Sequence, residues 1–226
     1  MKQAAFIIGL VALGVVGAIG FGSHLRAENP VAEKPAEVVE AKTPDELLTV
    51  QQSDVVMGKA DAPITLVEYA SLSCSHCATF HKDVLPGLKE KFIDTGKAKY
   101  ILRNFPLNGP AFRGALLMDC VADEQYYAFA DVLFAQQDKW AFSGDFVGNL
   151  RKIAALGGYG NTEFDACMAN EAGEKELLAR TQHANAVLNI QSTPTLFVNG
   201  DRMEGSSNPQ LFIDKVQEKL TGLGLE

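Results

Sequence analysis

The chain has 226 residues, and its apolar fraction of 47% is enough for one substantial buried core or two small ones. Its formal net charge is −8, and lysine and arginine form no cluster anywhere in the sequence. Because phosphate binding needs clustered positive charge, these features exclude a protein that wraps nucleic acid.

The first 22 residues predict an export signal or a membrane anchor. Lys2 is followed by an uncharged apolar run over residues 4–22, which has the composition of a secretory signal. At 19 residues, the run is also long enough to span a bilayer without being cleaved. Either alternative places the rest of the chain in the periplasm or at the extracytoplasmic face of the membrane, where disulfides persist.

Residues 23–48 predict a flexible linker. This stretch is rich in glutamate, proline and alanine, and it shows no helical or strand periodicity. We therefore expect the folded domain to cover residues 49–226.

The first half of that domain predicts strands on either side of a helix. A short strand at residues 55–57 is followed by a buried strand at 64–70, in which Glu68 is a charge among apolar residues. Apolar residues at a spacing of four predict a helix over 80–92, and another strand is predicted at 97–105. A right-handed crossover would make these two longer strands parallel.

The second half predicts a block of helices and then a hairpin. Residues 107–189 are mostly helical in pattern, most clearly at positions 126, 129, 130, 133 and 134. Strand character returns at residues 193–200, where Asn199-Gly200 predicts a hairpin turn, and a last helix is predicted at 208–220. The fold class is therefore α/β, with a sheet domain interrupted by helices.

Two of the four cysteines, Cys74 and Cys77, form a CxxC motif within residues 71–81, SLSCSHCATFH. Haem attachment requires a histidine directly after the second cysteine, and Ala78 excludes it. A purely structural disulfide is an alternative in an exported chain, although it would close almost no loop and would constrain the unfolded state little.

Zinc binding by the CxxC motif would need two further ligands. His81 lies one turn after the motif and could supply one of them, but Cys120 and Cys167 are isolated in the sequence rather than paired. We therefore expect neither a metal nor another cofactor.

The remaining alternative is a redox pair. A helix that begins near Cys74 places the first sulfur at a helix N-terminus, which favours the thiolate and lowers its pKa. A protonated His76 would add positive charge there, unless it is only a solvated loop residue. Cys77, one turn later, should be less exposed, and Glu68 would accept its proton if that strand residue faces inward. Stabilising the thiolate would make the Cys74–Cys77 disulfide a stronger oxidant.

With these elements in order, residues 53–226 resemble the thioredoxin superfamily, and more closely its DsbA family of exported thiol-disulfide oxidoreductases. The motif CSHC fits the family pattern C-x-H-C, and STPTLFVNG fits its proline loop. The resemblance implies a thioredoxin-like fold with an inserted all-helical subdomain at about 107–189. It also implies that Cys74 is the nucleophile, Cys77 the resolving cysteine and Glu68 the buried acid. Thr193 and a cis Pro194 would bind extended substrate.

The function implied by the resemblance is the introduction of disulfides into reduced, unfolded exported proteins, with reoxidation by a quinone-linked membrane oxidoreductase. Two residues depart from the best-known oxidase pattern, since Ser75 replaces a proline and Thr193 also occurs in isomerising and reducing relatives. A reductase or isomerase of the same fold therefore remains an alternative, as does a non-catalytic peptide-binding module. We favour the oxidase because isomerases usually carry a dimerisation domain, for which residues 23–48 are too short.

The other two cysteines, Cys120 and Cys167, both lie in the predicted helical block. In an oxidising compartment they either pair or remain free, and free thiols beside an active disulfide risk wrong exchange. We expect a structural disulfide, which would stabilise the fold by roughly 4 kcal/mol in the chain-entropy model. The alternative is two buried thiols that act as small apolar side chains.

Overall fold

A computed structural model describes residues 43–203 and 208–225 of the chain. The predicted signal or anchor at 1–22 and most of the predicted linker lie outside these described residues. Within the described ranges, none of the helices combines the length and the apolar character that crossing a bilayer requires.

A five-stranded mixed sheet forms the centre of the fold. Its strands are β1 (Val56–Gly58), β2 (Ile64–Ala70), β3 (Ala98–Asn104), β4 (Thr195–Val198) and β5 (Asp201–Met203). They lie in the order β1-β3-β2-β4-β5, in which β2 and β3 are parallel and the other neighbours are antiparallel. The predicted crossover and hairpin are both present, and β2 is the central strand.

Helices cover both faces of the sheet. In chain order they are α1 (Pro44–Leu47), α2 (Ser75–Thr79), α3 (Leu85–Leu88), α4 (Gly109–Cys120), α5 (Tyr126–Ala135), α6 (Gln137–Trp140), α7 (Phe146–Leu156), α8 (Asn161–Met168), α9 (Glu171–Leu188) and α10 (Pro209–Gly222). A 3-10 turn, Asp123–Gln125, precedes α5. Helices α4 to α9 connect β3 to β4, so the insertion occupies the region that the sequence predicted.

The helix after the CxxC motif is not a regular α-helix. Two π-helical segments, Phe80–Val84 and Lys89–Ile93, continue α2 and α3. Pro86 follows the first of them at the start of α3. Because proline has no N–H to donate, it interrupts the α-helical hydrogen-bond ladder, and the turns around it are widened.

Alternating side chains of β2 bury into two separate cores. Leu66 packs with Phe80, Tyr100 and other residues beneath the helix that follows the CxxC motif. Val67 packs on the opposite face, with Leu188 and other residues near α9. Since strand side chains alternate between faces, Glu68 must share the face of Leu66. The charged residue of β2 is therefore on the side of the cysteines.

The predicted linker was wrong at its C-terminal end. Thr43 and Glu46 form a capping box around α1, in which each backbone N–H donates to the other side chain, at 2.7 and 3.3 Å. Leu47 and Leu48 are buried in the core near α9. The folded domain therefore includes residues from Thr43 onward. The sequence pattern did not show this helix, because four residues are too few for a helical periodicity.

Candidate active site

The two cysteines of the CxxC motif have different surroundings. Cys74 is the N-cap residue of α2 and is half-buried, whereas Cys77 lies within α2 and is fully buried. Both are free thiols in this structure. Their positions follow from the local fold, since β2 ends at Ala70 and a short loop leads directly into the helix.

Several contacts lower the pKa of Cys74 to about 5. The largest is a hydrogen bond from the Cys77 thiol, and burial opposes it. The Thr193 side chain and the backbone N–H groups of Cys77 and His76 also stabilise the thiolate. Cys74 is therefore predominantly ionised at neutral pH, as expected for a reactive cysteine.

The pKa of Cys77 is displaced in the opposite direction. Burial raises it most, followed by the hydrogen bond to Cys74 and the negative charge of Glu68. Cys77 is therefore a thiol, and it has to lose its proton before it can attack another sulfur.

The loop before β4 contacts Cys74. The Thr193–Pro194 peptide is cis, and Cys74 Sγ donates to the Thr193 carbonyl oxygen at 3.2 Å. In this thiol form the buried Thr193 hydroxyl has no hydrogen-bond partner within the described ranges. The hydroxyl lowers the pKa of Cys74 because it can donate to the thiolate.

Glu68 is fully buried in the middle of the sheet, between Leu102 of β3 and Leu196 of β4. One of its carboxylate oxygens, Oε2, accepts a short hydrogen bond from the Tyr100 hydroxyl and lies 3.2 Å from His81 Nε2. The other oxygen, Oε1, has no partner among the residues that the structure describes. It is the oxygen that remains available for a further proton.

His81, Tyr100 and Asp131 complete a buried polar group that the sequence analysis did not assemble. The sequence indicates His81 only as a candidate zinc ligand, although a spacing of four residues from Cys77 places the two on the same side of a helix. In the described part of the chain, no group of three or more His, Cys, Asp or Glu side chains could hold a metal ion. The ring of His81 instead lies between Glu68 and Asp131.

The side chain of His76 is exposed to solvent. The part of His76 that lowers the pKa of Cys74 is its backbone N–H. The structure therefore brings the His76 backbone to the active sulfur, and a role for the imidazole ring stays a prediction.

Gln137 connects the inserted helices to the loop that carries Cys74. Its buried side-chain amide donates to the carbonyl oxygens of Leu72 and Cys74 at 2.8 and 3.0 Å. Since unpaired buried carbonyl groups are costly, this amide holds the loop in one conformation. Nothing in the sequence around Gln137 indicated this contact.

Cys120 and Cys167 form a disulfide with a Cα–Cα distance of 6.2 Å. It links the last residue of α4 to α8. The pairing lies wholly inside the helical insertion, and neither sulfur belongs to the site around Cys74.

Comparisons with known proteins agree with this site. A family model described as Thioredoxin matches residues 50–217. A Rickettsia bellii protein that carries the provisional name protein-disulfide oxidoreductase is 33% identical over 78% of this chain and 69% of its own length. Disulfide bond formation protein D of Bacillus subtilis is 28% identical, over 74% of this chain and 77% of its own length.

Solved structures of DsbA-type proteins are also similar to this chain. The structure of Wolbachia pipientis alpha-DsbA1 is 32% identical, with a TM-score of 0.73, over 78% of this chain and 95% of that chain. BdbD of Bacillus subtilis shares the fold with a TM-score of 0.67, over 75% of this chain and 94% of that chain, at 24% identity. The thioredoxin-like fold with inserted helices is thus confirmed, and the chain belongs to the DsbA-type protein-disulfide oxidoreductases of the thioredoxin family.

Proposed function

We propose that this chain introduces disulfides into reduced, unfolded exported proteins through a mixed disulfide at Cys74. The observation that carries the proposal is the opposite displacement of the two thiol pKa values, downward for Cys74 and upward for Cys77. A stable thiolate at Cys74 favours the reduced protein over the oxidised one. The oxidised protein is therefore a strong donor of its disulfide.

The exchange proceeds in two steps. A substrate thiolate attacks Cys74 Sγ, a new sulfur–sulfur bond forms, and Cys77 leaves with the electron pair of the broken bond. Cys77 then takes a proton from Glu68. A second substrate thiolate attacks the substrate sulfur of the mixed disulfide, which forms the substrate disulfide and releases Cys74 as a thiolate. The low pKa of Cys74 makes it a good leaving group.

The substrate would lie along the Thr193–Pro194 loop. Thr193 contacts the sulfur of Cys74, and the loop leads directly into β4, so an extended chain placed there would reach Cys74. Recognition through backbone groups depends little on the side chains of the substrate, which suits an enzyme that accepts many unfolded proteins. The backbone N–H of His76 lies at the same sulfur, and its exposed side chain would be accessible to an incoming chain.

The same proposal places the protein at the extracytoplasmic side of a membrane, in the periplasm. The Cys120–Cys167 disulfide supports that location, because such crosslinks persist in oxidising compartments. The apolar run at residues 4–22 would direct export or anchor the chain. Each turnover leaves Cys74 and Cys77 reduced, so a quinone-linked membrane oxidoreductase is the proposed acceptor of the electrons.

Equilibration of the Cys74–Cys77 pair with glutathione tests the direction of exchange. We expect a reduction potential well above that of thioredoxin, which is about −270 mV. A value near that of thioredoxin would favour the reductase or isomerase, an alternative that is open because Ser75 and Thr193 depart from the best-known oxidase pattern. Disulfide transfer to a reduced, unfolded model protein should also vanish in Cys74→Ser. If the variant retained transfer, the mixed disulfide at Cys74 would be wrong, and if the wild-type protein transferred no disulfide, it would be a peptide-binding module and not an enzyme.

A further inference from the structure

The buried position of Cys77 creates a problem of proton transfer. Cys77 and Glu68 are both inaccessible to solvent, so a proton that passes from the thiol to the carboxylate is still inside the protein. In each cycle, reduction of the disulfide brings one proton into the protein, and reoxidation releases it again. A path that connects Glu68 with water is therefore needed.

His81 lies at the position that such a path requires. Its Nε2 atom is 3.2 Å from Glu68 Oε2, and its Nδ1 atom is 3.7 Å from Asp131 Oδ1. The exposed fraction of the side chain rises along this series, from 0% for Glu68 to 3% for His81 and 67% for Asp131. The imidazole ring therefore connects a buried carboxylate with a solvated one.

We propose that His81 and Asp131 are the outer half of a proton path that runs from Cys77 through Glu68 to solvent. This inference rests on the proposed exchange at Cys74 and Cys77, and it assigns two positioning residues to that exchange. Neither residue contacts the reacting sulfurs directly. They act by delivering a proton to Glu68 and by removing it again.

An imidazole is suited to this role because its two nitrogens can gain a proton on one side and lose one on the other. The ring is held in place by Phe134 of α5, whose ring centroid lies 4.1 Å away, and by the Tyr100 hydroxyl, 3.2 Å from Nε2. His81 belongs to the first π-helical segment, Phe80–Val84, which packs against α5. The widened turn and α5 together set the ring between the two carboxylates.

The charges around the ring favour its protonated form. The groups that face it are Glu68 from β2, Tyr100 from β3 and Asp131 from α5. Burial lowers the pKa of His81, but the two carboxylates outweigh burial and raise the pKa to about 9. The distance to Asp131 is longer than a hydrogen bond, so Nδ1 has no hydrogen-bond partner among the described residues. Because the Asp131 side chain is exposed, it has room to approach Nδ1 when the proton is transferred.

The proton balance of reoxidation can be written atom by atom. Cys74 is first joined to a partner sulfur that came from a disulfide oxidant. The Cys77 thiol gives its proton to Glu68 Oε1, and Cys77 Sγ attacks Cys74 Sγ. The partner sulfur leaves as a thiolate with the electron pair. The next transfer uses the neutral form of the His81 ring with its proton on Nδ1, which is the minor form below the pKa of about 9. Glu68 gives its proton to the free Nε2 of this ring, the Nδ1 proton moves to Asp131, and Asp131 releases it to water.

The aromatic disulfide 5,5′-dithiobis(2-nitrobenzoate) can separate the steps in stopped-flow experiments on the reduced protein. The first release of thionitrobenzoate reports attack by Cys74, and the second reports attack by Cys77 on the mixed disulfide. A Cys77→Ser variant should show only the first release, which assigns the two phases. The second phase is then measured at several buffer concentrations and pH values for Asp131→Asn, Asp131→Glu and His81→Gln.

Asp83→Asn is the matched control, because Asp83 is exposed, carries the same charge and lies two residues from His81. We expect Asp131→Asn to slow the second phase about tenfold in dilute buffer. This effect is smaller than the usual contribution of an acid–base group, because water can partly replace Asp131 as the proton acceptor. Rising concentrations of imidazole buffer should restore the rate. His81→Gln should slow this phase by about a hundredfold, and Asp131→Glu should retain it.

Two results would overturn the proton path. One is a second phase in Asp131→Asn equal to that in Asp83→Asn. The other is a slow second phase that added imidazole does not restore, since this would mean that Asp131 has only a structural role. A wild-type protein that lacked the second release altogether would instead contradict the exchange mechanism itself, so the two failures are distinguishable.

Discussion

The hydroxyl group of Tyr100 on β3 donates a hydrogen bond to the carboxylate of Glu68 on the neighbouring strand β2. Both side chains are fully buried, and the parallel pairing of β2 with β3 brings them together. Burial raises the pKa of Tyr100 well above its ordinary value, so the phenol remains a donor at every physiological pH. This hydrogen bond offsets part of the cost of a carboxylate inside the sheet.

Tyr100→Phe should therefore destabilise the protein. The variant keeps the ring but removes the donor, and a buried carboxylate that loses a partner costs about 1–3 kcal/mol. The free energy of unfolding, measured with urea at pH 7, checks this value. The control is Tyr159→Phe, which loses a hydrogen bond at a more exposed site and should cost less than about 1 kcal/mol. Equal losses of unfolding free energy in the two variants would contradict the conclusion that the Tyr100 hydroxyl stabilises the buried carboxylate of Glu68.

His81 should make stability depend on pH. Its pKa is about 9 in the folded protein and about 6.5 in an unfolded chain, so its protonated form stabilises the fold. This contribution is complete below pH 6.5 and is lost as the pH rises through 9, with a total of about 3 kcal/mol at most. Urea unfolding of Cys74→Ser between pH 6 and 10 measures it without the opposing titration of the thiol.

The control for that measurement is Cys74→Ser combined with His81→Gln. Glutamine does not titrate, so the decline of stability between pH 6.5 and 9 should disappear from the double variant. If the decline persisted, another group would be responsible for it.

Titration of the Cys74 thiol by its thiolate absorbance at 240 nm should give a midpoint at about pH 5. Thr193→Val should raise this midpoint, because it removes a hydroxyl group that stabilises the thiolate. His76→Ala should raise it less than Thr193→Val, because alanine retains the backbone N–H. A larger effect of His76→Ala would assign the stabilisation to the imidazole ring, as the sequence analysis predicted.

The Cys120–Cys167 disulfide should contribute about 4 kcal/mol to stability in the chain-entropy model, given a sequence separation of 47. The double variant Cys120→Ala and Cys167→Ala should lose about this amount in urea unfolding, and it should retain the potential of the Cys74–Cys77 pair. Alkylation followed by mass spectrometry gives an independent check. Two alkylated thiols in the fully oxidised protein would contradict the pairing.

The order of the elements could be predicted from the sequence because each carries a local signal. The β-branched run of β2, the Asn199-Gly200 turn and the apolar spacing of α5 are readable within a few residues. The face of Glu68 could not be fixed by alternation alone. That face follows from the tertiary packing, because Leu66 and Val67 belong to separate cores on the two faces of β2.

The polar group around Glu68 was harder to predict for a physical reason. His81 belongs to the helix after the CxxC motif and Glu68 to β2, so their contact depends on how that helix packs on the sheet. Asp131 and Gln137 reach the site from the insertion, far along the chain, through tertiary packing that leaves no local pattern. The capping box at Thr43, by contrast, was present in the sequence as TPDE and could have been recognised.

The placement of the insertion bears on how this enzyme could diversify. The inserted helices leave from β3 and return at β4, the two strands that flank β2, so their length can change without altering the pairing around Glu68. Gln137 and Asp131 nevertheless come from the insertion. A graft of this segment from a relative would therefore yield a folded hybrid with altered redox kinetics, unless the graft also supplied an amide and a carboxylate at these two positions.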